Sequence, residues 1–300
     1  MHDAIIIGAG PAGMAAAIYF ARQKLDFIII SKNIGGQTAW SAEVGNYLGF
    51  HLISGADLAK KFKEHTESYG VKIQSEEEVK EVKENNGNFT VISDKCEYQA
   101  KTVLVATGEK HRKLNIPGED EFYGKGVTYC AICDAPLFSD KDIAVIGGSN
   151  SAMEAALFAA KYSKKAYIIT INPGLEGDSV LIDRINGEDR IEVITSAKTT
   201  EIAGNKLVNR LKYEKKGEVK ELEIKGVFIE IGLIPVSDFI GIVKKNKWGE
   251  IEVDKNNATD IEGIWAAGDV TDITTKQIAV AVGEGSKASI RMIKYIEKSK

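Results

Sequence analysis

Short apolar runs, each the length of one buried strand, recur along the chain between helical stretches and polar turns. Asp3-Ala4-Ile5-Ile6-Ile7 runs into Gly8-Ala9-Gly10-Pro11-Ala12-Gly13; Met14 to Arg22 then reads as helix and Phe27 to Ile30 as a second strand. The theme returns with a strand at Asp142 to Ile146, a turn at Gly147-Gly148-Ser149-Asn150-Ser151-Ala152, a helix from Met153 to Tyr162 and a strand at Ala166 to Thr170. Two such βαβ units predict an α/β protein with two three-layer, Rossmann-like nucleotide-binding domains of related design.

Other segments fill in the pattern. Ser54-Gly55-Ala56-Asp57 has the form of a capping box, and the helix it starts carries Leu58, Phe62 and Tyr69 on one side before stopping at Gly70. His65 shares that face and is expected to be a packed core histidine. From Val79 to Ala100 short alternating strands turn at Asn85-Asn86-Gly87-Asn88, and Cys96 falls near a turn as an incidental thiol. Thr102 to Val105 is a buried parallel strand ending in Ala106-Thr107-Gly108. Lys206 to Ile224 predicts a hairpin around Lys216-Gly217, Gly226 to Ile231 a strand, and Gly263 to Ala267 a further buried strand ending in Gly268-Asp269. Gln277 to Ile296 is helical in period. Gly35-Gly36-Gln37 and Gly45 to Phe50 read, on spacing alone, as turns.

The first glycine run is G-x-G-x-x-G between a strand and a helix, the context in which a pyrophosphate rests on a helix N-terminus. The acid usually found at the end of the second strand is replaced by Ser31-Lys32, leaving the ribose to Ser31 or to backbone groups. Ligands of open α/β sheets bind beyond the carboxyl ends of strands, which places Ala106-Thr107-Gly108 against the same dinucleotide. Asp269 could accept ligand hydroxyls there, or could simply cap a turn. In the second turn Ser149 and Ala152 stand where the second and third glycines would be, so a pyrophosphate is approached less closely.

Composition narrows the function classes. The 300 residues exceed one comfortable core, and 27% charged residues with 44% apolar ones are ordinary for a globular protein. A net charge of -4 with no basic stripe argues against nucleic acid, and Lys60-Lys61-Phe62-Lys63 reads as a solvated helix face. No apolar run reaches membrane-spanning length, the first residues leave no room for a signal peptide, and three cysteines point to a reducing compartment, with the cytoplasm as the expected location.

Two of those cysteines lie in Cys130-Ala131-Ile132-Cys133-Asp134. Thiols at this spacing can open and close a disulfide, one attacking and the other resolving, while the adjacent carboxylate moves a proton. Zinc is the competing reading. A structural zinc site usually needs four ligands, and neither Cys96 nor His2, His51, His65 or His111 forms a second pair.

Together these stretches resemble the low-molecular-weight thioredoxin reductases along nearly the whole chain: Gly8 to Gly13, Gly35-Gly36-Gln37, Asn46 to Phe50, Ala106 to Gly108, Cys130 to Asp134, Gly226 to Pro235 and Ala266 to Ala279. The resemblance implies an FAD domain from residues 1–112 and 240–300, with an inserted NAD(P)-type domain at 113–239 carrying the dithiol. It implies a homodimer whose inserted domain swings, Cys133 nearest the flavin, Cys130 attacking a thioredoxin- or glutaredoxin-like protein, and Asp134 moving the proton. It assigns FAD contacts to Gly8, Gly10, Pro11, Ala12 and Gly13, to Ser31, Gly36, Gln37, Asn46 and Val79, and to Ala106, Thr107 and Gly108. Toward the far end of the chain it adds Gly268, Asp269, Gln277, Ile278 and Ala279. Lys276 and Ile278 stand where that family often has Arg and Ala.

One departure bears on the electron donor. NADPH-dependent members carry a cluster of arginines after the second strand of the inserted domain, whereas this chain reads Ile169-Thr170-Ile171-Asn172-Pro173-Gly174-Leu175-Glu176-Gly177-Asp178. Glu176 and Asp178 have the wrong sign for a 2′-phosphate, and no acid closes the strand to take an NADH ribose. Asp178 to Arg184 is more similar to the branch fed by a reduced deazaflavin; a ferredoxin-fed branch comes next. The alternatives are an enzyme using NAD(P)H weakly through Lys164 or Lys165, an oxygen-dependent dithiol oxidase, and a non-enzymatic redox sensor.

Overall fold

The computed structural model describes residues 1–40 and 44–298, with only the backbone described at Trp40, Ile132 and Cys133. In chain order the elements are β1 (His2–Ala9), α1 (Pro11–Arg22), β2 (Phe27–Ile34), α2 (Gly55–Ser68), β3 (Ile73–Ser75), β4 (Val79–Asn85), β5 (Asn88–Ser93), β6 (Glu97–Val105) and β7 (Glu109–His111). Then come β8 (Val127–Thr128), α3 (Ala131–Asp134), β9 (Asp142–Ile146), α4 (Asn150–Ala159), β10 (Lys165–Ile169), α5 (Ser179–Asn186), β11 (Ile191–Ile194), β12 (Ala197–Gly204), β13 (Val208–Lys215) and β14 (Glu218–Glu223). The chain closes with β15 (Gly226–Ile229), β16 (Leu233–Pro235), β17 (Ile264–Ala266) and α6 (Ile278–Lys298).

The chain divides into two compact units, one of residues 1–110 and 234–300 and the other of residues 111–233. The return into the first unit thus comes earlier than residue 240. Val236 already donates its N–H to Gly108 O, Phe239 O accepts from Val82 N–H, and Ile240 and Val243 are buried in the first unit's core. Short β7 and β16 pair with each other where the chain passes between units.

The first unit is built on one sheet ordered β3-β2-β1-β6-β5-β4, with β17 added to β6. β6 does two jobs. Its start, Glu97 to Ala100, pairs antiparallel with β5, and its end, Val103 to Val105, pairs parallel with β17 at Ile264 to Ala266. Because β1, β2, β6 and β17 are mutually parallel, their carboxyl ends share one edge. On one face α1 and α6 bury Ala16, Ala17, Phe20, Ala288 and Met292 against Ile6 and Leu104. On the other, Ile5, Ile7, Val103 and Val105 meet Phe89, Val91, Ile240 and Ile251. The helices can lie this close because Gly285 of α6 sits against Ala12 O, where a Cβ would come within 2.0 Å.

The second unit has a parallel sheet ordered β11-β10-β9-β15-β8. α3, α4 and α5 cover one face around Ile143, Val145, Met153 and Phe228, and the antiparallel sheet β12-β13-β14 covers the other around Ala144, Ile202, Leu211 and Val227. Both units are therefore Rossmann-like, as the periodicity predicts.

Local signals hold where the chemistry is local. Ser54 Oγ caps α2 by accepting from Asp57 N–H at 3.0 Å while donating to Asp57 Oδ2 at 2.7 Å. The turn between β4 and β5 places Asn86 and Gly87 at positive φ, as a two-residue hairpin demands. One expectation fails. His65 is exposed, because the buried stripe of α2 runs through Leu58, Ala59 and Thr66 and leaves His65 at its edge, its ring 5.8 Å from that of Tyr69. In α6, Met292, Ile293 and Ile296 carry the buried face. No helix among the described residues is long and apolar enough to cross a membrane.

Candidate functional site

In the first unit the glycine run forms a cradle at the sheet's carboxyl edge. Gly8 lies at φ +110°, and a Cβ there would sit 2.3 Å from Ala106 O, so only glycine lets β1 and the end of β6 approach this closely. Gly13 lets α1 settle on the turn, since its Cβ would be 1.9 Å from Gly8 O. Gly10 differs. It is the N-cap of α1, makes no side-chain cap, and has nothing within 4 Å of where a Cβ would stand. With Pro11 at the first position, the N–H groups of Ala12 and Gly13 face that open space with the positive end of the helix dipole. A pyrophosphate fits there by charge and by room.

Other expected residues gather on the same edge. Gly36, at φ +54°, would place a Cβ 3.5 Å from Gly10 Cα, and Gly268 would place one 3.2 Å from Ala12 Cβ. Gly36 opens a single 3-10 turn to Trp40 rather than a plain loop. Gln37 Nε2 donates to Glu109 O at 3.2 Å, and Asn46 Nδ2 donates to Gln277 Oε1 at 3.1 Å, just before Ile278 and Ala279 open α6. Gly108 is at positive φ. Burial pushes the Asp269 carboxyl up from its ordinary range, and the Lys276 charge opposes that rise.

Three of the expected contacts are already engaged. Ser31 Oγ accepts from Ala9 N–H at 3.0 Å and donates to Asn33 O at 2.6 Å, so it ties β1 to β2 rather than offering a free hydroxyl to a ribose. Thr107 Oγ1 donates to Val236 O at 2.6 Å. The Val79 side chain is buried in the core, leaving only its backbone for a ligand.

Sequence reasoning missed what holds Asp269 in place. Lys276 Nζ donates to Asp269 O at 2.7 Å, Thr271 O at 2.6 Å and Glu250 Oε1 at 2.8 Å, and it lies 3.7 Å from Glu109 Oε1. Burial raises the Glu109 carboxyl, against the pull of Lys276. The only sequence hint was Lys276 itself.

In the second unit, Cys130 is disulfide-bonded, whereas Cys96 is a free, exposed thiol. A sulfur in a disulfide is not a thiolate, so Cys130 in this form is no zinc ligand. The Cys133 side chain lies outside what is described. β8 ends in buried Thr128, whose Oγ1 accepts from Cys130 N–H at 3.1 Å and donates to Asp134 Oδ2 at 2.5 Å. Asp134 N–H in turn donates to Cys130 O at 3.2 Å, closing the single turn of α3.

The glycine turn of this unit is as tightly packed as the first. A Cβ on Gly147 would come within 2.1 Å of Glu230 O, and one on Gly148 within 2.5 Å of Thr170 Oγ1. Glu176 N–H donates to Gly148 O, and Asp178 N–H donates to Asn150 Oδ1, each at 2.8 Å, which pins two acids beside the turn. Glu230 follows directly on β15 at the carboxyl edge. Burial, with the charge of Glu154 adding to it, pushes its carboxyl up to about 7. Lys165 pairs with Asp142 at the start of β9, whereas Ile169 pairs with Ile146 at its end. Lys165 therefore sits about 13 Å from the carboxyl edge, bound to Glu192 at 2.5 Å, and Lys164 is tied by its N–H to Lys141 O at that same far end. Both lysines lie at the end of the sheet away from the glycine turn.

The model of the pyridine nucleotide-disulphide oxidoreductase family matches residues 2–285. The chain belongs to this family. Within it, the chain is similar to a thioredoxin reductase of Lactococcus lactis solved in its FR conformation, at 36% identity over 99% of this chain and 100% of that one, with a TM-score of 0.84. It is similar also to the thioredoxin reductase of T. acidophilum, at 39% identity over 99% and 98% of the two chains and a TM-score of 0.81. A protein named NADH dehydrogenase in Bacillus subtilis is 36% identical over 297 residues, 98% of this chain and 58% of that protein. The chain spans about three fifths of the length of the curated relatives it matches. The residues that the family's flavin would need fit it: an uncapped helix N-terminus, an open glycine and a half-buried acid meet at one sheet edge.

Proposed function

We propose that this chain is an FAD-dependent thioredoxin-disulfide reductase, passing electrons through a Cys130/Cys133 dithiol to a thioredoxin- or glutaredoxin-like protein. The observation that carries the reading is the disulfide-bonded Cys130 beside a carboxylate, Asp134, oriented by the hydroxyl that also takes the Cys130 N–H. When bound, FAD supplies two-electron chemistry. Gly10, Ala12 and Gly13 would hold its pyrophosphate, Asp269 and Gln37 would orient it, and Asn46, Gln277, Ile278 and Ala279 would close over it. Asp134 would move the proton that a leaving thiolate gains. A homodimer in the cytoplasm is the accompanying expectation, checked by mass in solution and by fractionation.

The donor in this reading is a reduced deazaflavin, with ferredoxin next. Support comes from the acids Glu176 and Asp178 beside the second glycine turn, from Glu230 at the same edge, and from Lys164 and Lys165 lying at the opposite end. A dinucleotide phosphate meets the acids Glu176 and Asp178 there, with neither Lys164 nor Lys165 beside it among the described residues. The test is anaerobic reduction of the purified protein by NADPH, NADH, reduced deazaflavin and reduced ferredoxin, followed by flavin bleaching. Rapid bleaching by micromolar NADPH would overturn the donor assignment. Peroxide formation from a dithiol in air, without turnover of a thioredoxin, would replace the reductase reading with an oxidase.

A further inference from the structure

We propose that Thr128 is a positioning residue for thiol exchange at Cys130, acting through Asp134; the inference rests on the dithiol reading above. Thr128 meets Cys130 through that residue's backbone N–H. It is the last residue of β8, fixed by parallel pairing of Val127 with Val227 and of Thr128 with Phe228, and it is buried beside apolar neighbours. A hydroxyl in such a place costs stability unless its donor and acceptor are both used. Here both are used, and on the two groups that matter. Oγ1 accepts from Cys130 N–H at 3.1 Å, which leaves its one hydrogen to point at Asp134 Oδ2, 2.5 Å away. A hydroxyl hydrogen held on one carboxyl oxygen fixes the direction in which that carboxyl points. The return bond from Asp134 N–H to Cys130 O closes a small ring of three hydrogen bonds. The backbone that carries the first cysteine and the carboxylate that serves it are thus set by one side chain.

The step it bears on is exchange with a protein disulfide. The Cys130 thiolate attacks one partner sulfur, the partner S–S bond breaks, and the departing thiolate takes a proton. The Cys133 thiolate then attacks the Cys130 sulfur, the mixed disulfide breaks, and the second partner thiolate takes a proton. The dithiol is oxidised and the partner reduced by two electrons. The two protons are those the dithiol gives up, with Asp134 relaying one to a leaving sulfur. A carboxylate swung out of line relays it slowly.

The test uses the flavin-loaded full chain, reduced with excess dithiothreitol, desalted without oxygen and mixed rapidly with oxidised glutathione, whose aliphatic thiolate needs a proton to leave. Thr128→Val should slow exchange about tenfold, the size of one lost hydrogen bond to a charged group, and Thr128→Ser should restore the rate to within about twofold. Asp134→Asn should also be slow, and the double variant Thr128→Val with Asp134→Asn should be no slower than Asp134→Asn alone. Wild-type rates in Thr128→Val, effects that multiply in the double variant, or a Thr128→Ser variant that melts normally yet stays slow would each overturn the proposal. Cys130→Ser separates it from the reading beneath. If Cys130→Ser exchanges normally, the dithiol reading falls and takes Thr128 with it. If Cys130→Ser is dead while Thr128→Val is normal, only the role of Thr128 falls.

Discussion

The side-chain amide of Asn46 donates to Gln277 Oε1 at 3.1 Å, joining segments 231 positions apart. Both side chains are exposed, so the bond adds little to folding, and its consequence lies in how the two segments are held beside the glycine cradle. Asn46→Ala and Gln277→Ala should each lower stability by less than about 1 kcal/mol yet weaken flavin retention several-fold. The two losses should not add in the double variant. Flavin release on dilution, compared with thermal melts, checks this.

Two glycines of one motif should behave in opposite ways. Gly13→Ala forces a Cβ to 1.9 Å from Gly8 O and should destabilise the first unit by about 3 kcal/mol or more. Gly10→Ala meets nothing within 4 Å and should fold with near-native stability. Its methyl then stands where an anion would rest, and the purified protein should carry less flavin. The ratio of flavin to protein absorbance, read beside a chemical melt, separates the two effects.

Lys276→Met should loosen the turn that carries Asp269. It strips a donor from Asp269 O, Thr271 O and Glu250 Oε1 together and leaves Glu109 without its nearby cation. A loss of about 2–3 kcal/mol in denaturant unfolding is expected, with much of it recovered by Lys276→Arg, which keeps the charge.

Glu230 makes stability depend on pH in a defined direction. Its folded carboxyl titrates at about 7, above its ordinary value of 4.5, so the folded state binds that proton more tightly than the unfolded chain does. Stability contributed by this group is therefore full below the ordinary value, falls as pH rises toward 7, and stays lost above it. Glu230→Gln should be more stable than the parent by about 2–3 kcal/mol at alkaline pH, with the gap closing in mild acid. Equal stability of the two proteins across that range would refute the burial of an ionised Glu230.

Much of the fold was legible because its signals are local. Continuous apolar runs such as Ile5 to Ile7, the Ser54 cap and the Asn86-Gly87 turn state their structure within a few residues. The glycine cradle was legible for the same reason, since Gly8, Gly10 and Gly13 sit in one strand-turn-helix unit. What was missed depends on distant partners. Nothing near Ser31 announces that its hydroxyl is taken up by Ala9 N–H, and nothing near Thr128 announces Asp134 Oδ2 as its acceptor. His65 was misread because a helical face has edges, and only packing shows where the buried stripe is centred. Where Lys165 lies along its strand was not legible, because strand ends cannot be told apart until the register with β9 is known.

The seating of Gly285 against Ala12 O has a consequence for synthesis on the ribosome. Residues 1–110 are made before the inserted unit, yet α1 lacks its cover and β6 the second of its parallel neighbours until Ile264–Ala266 and Ile278–Lys298 have been made. Residues 111–233 hold a complete core long before that. The inserted unit should therefore fold while the chain is still growing, with the first-made segment waiting exposed for the last. Nascent chains arrested far enough past Leu233 for β15 to clear the ribosome, but before Ile264–Ala266 does, should resist protease within residues 111–233 and be cut within residues 1–110.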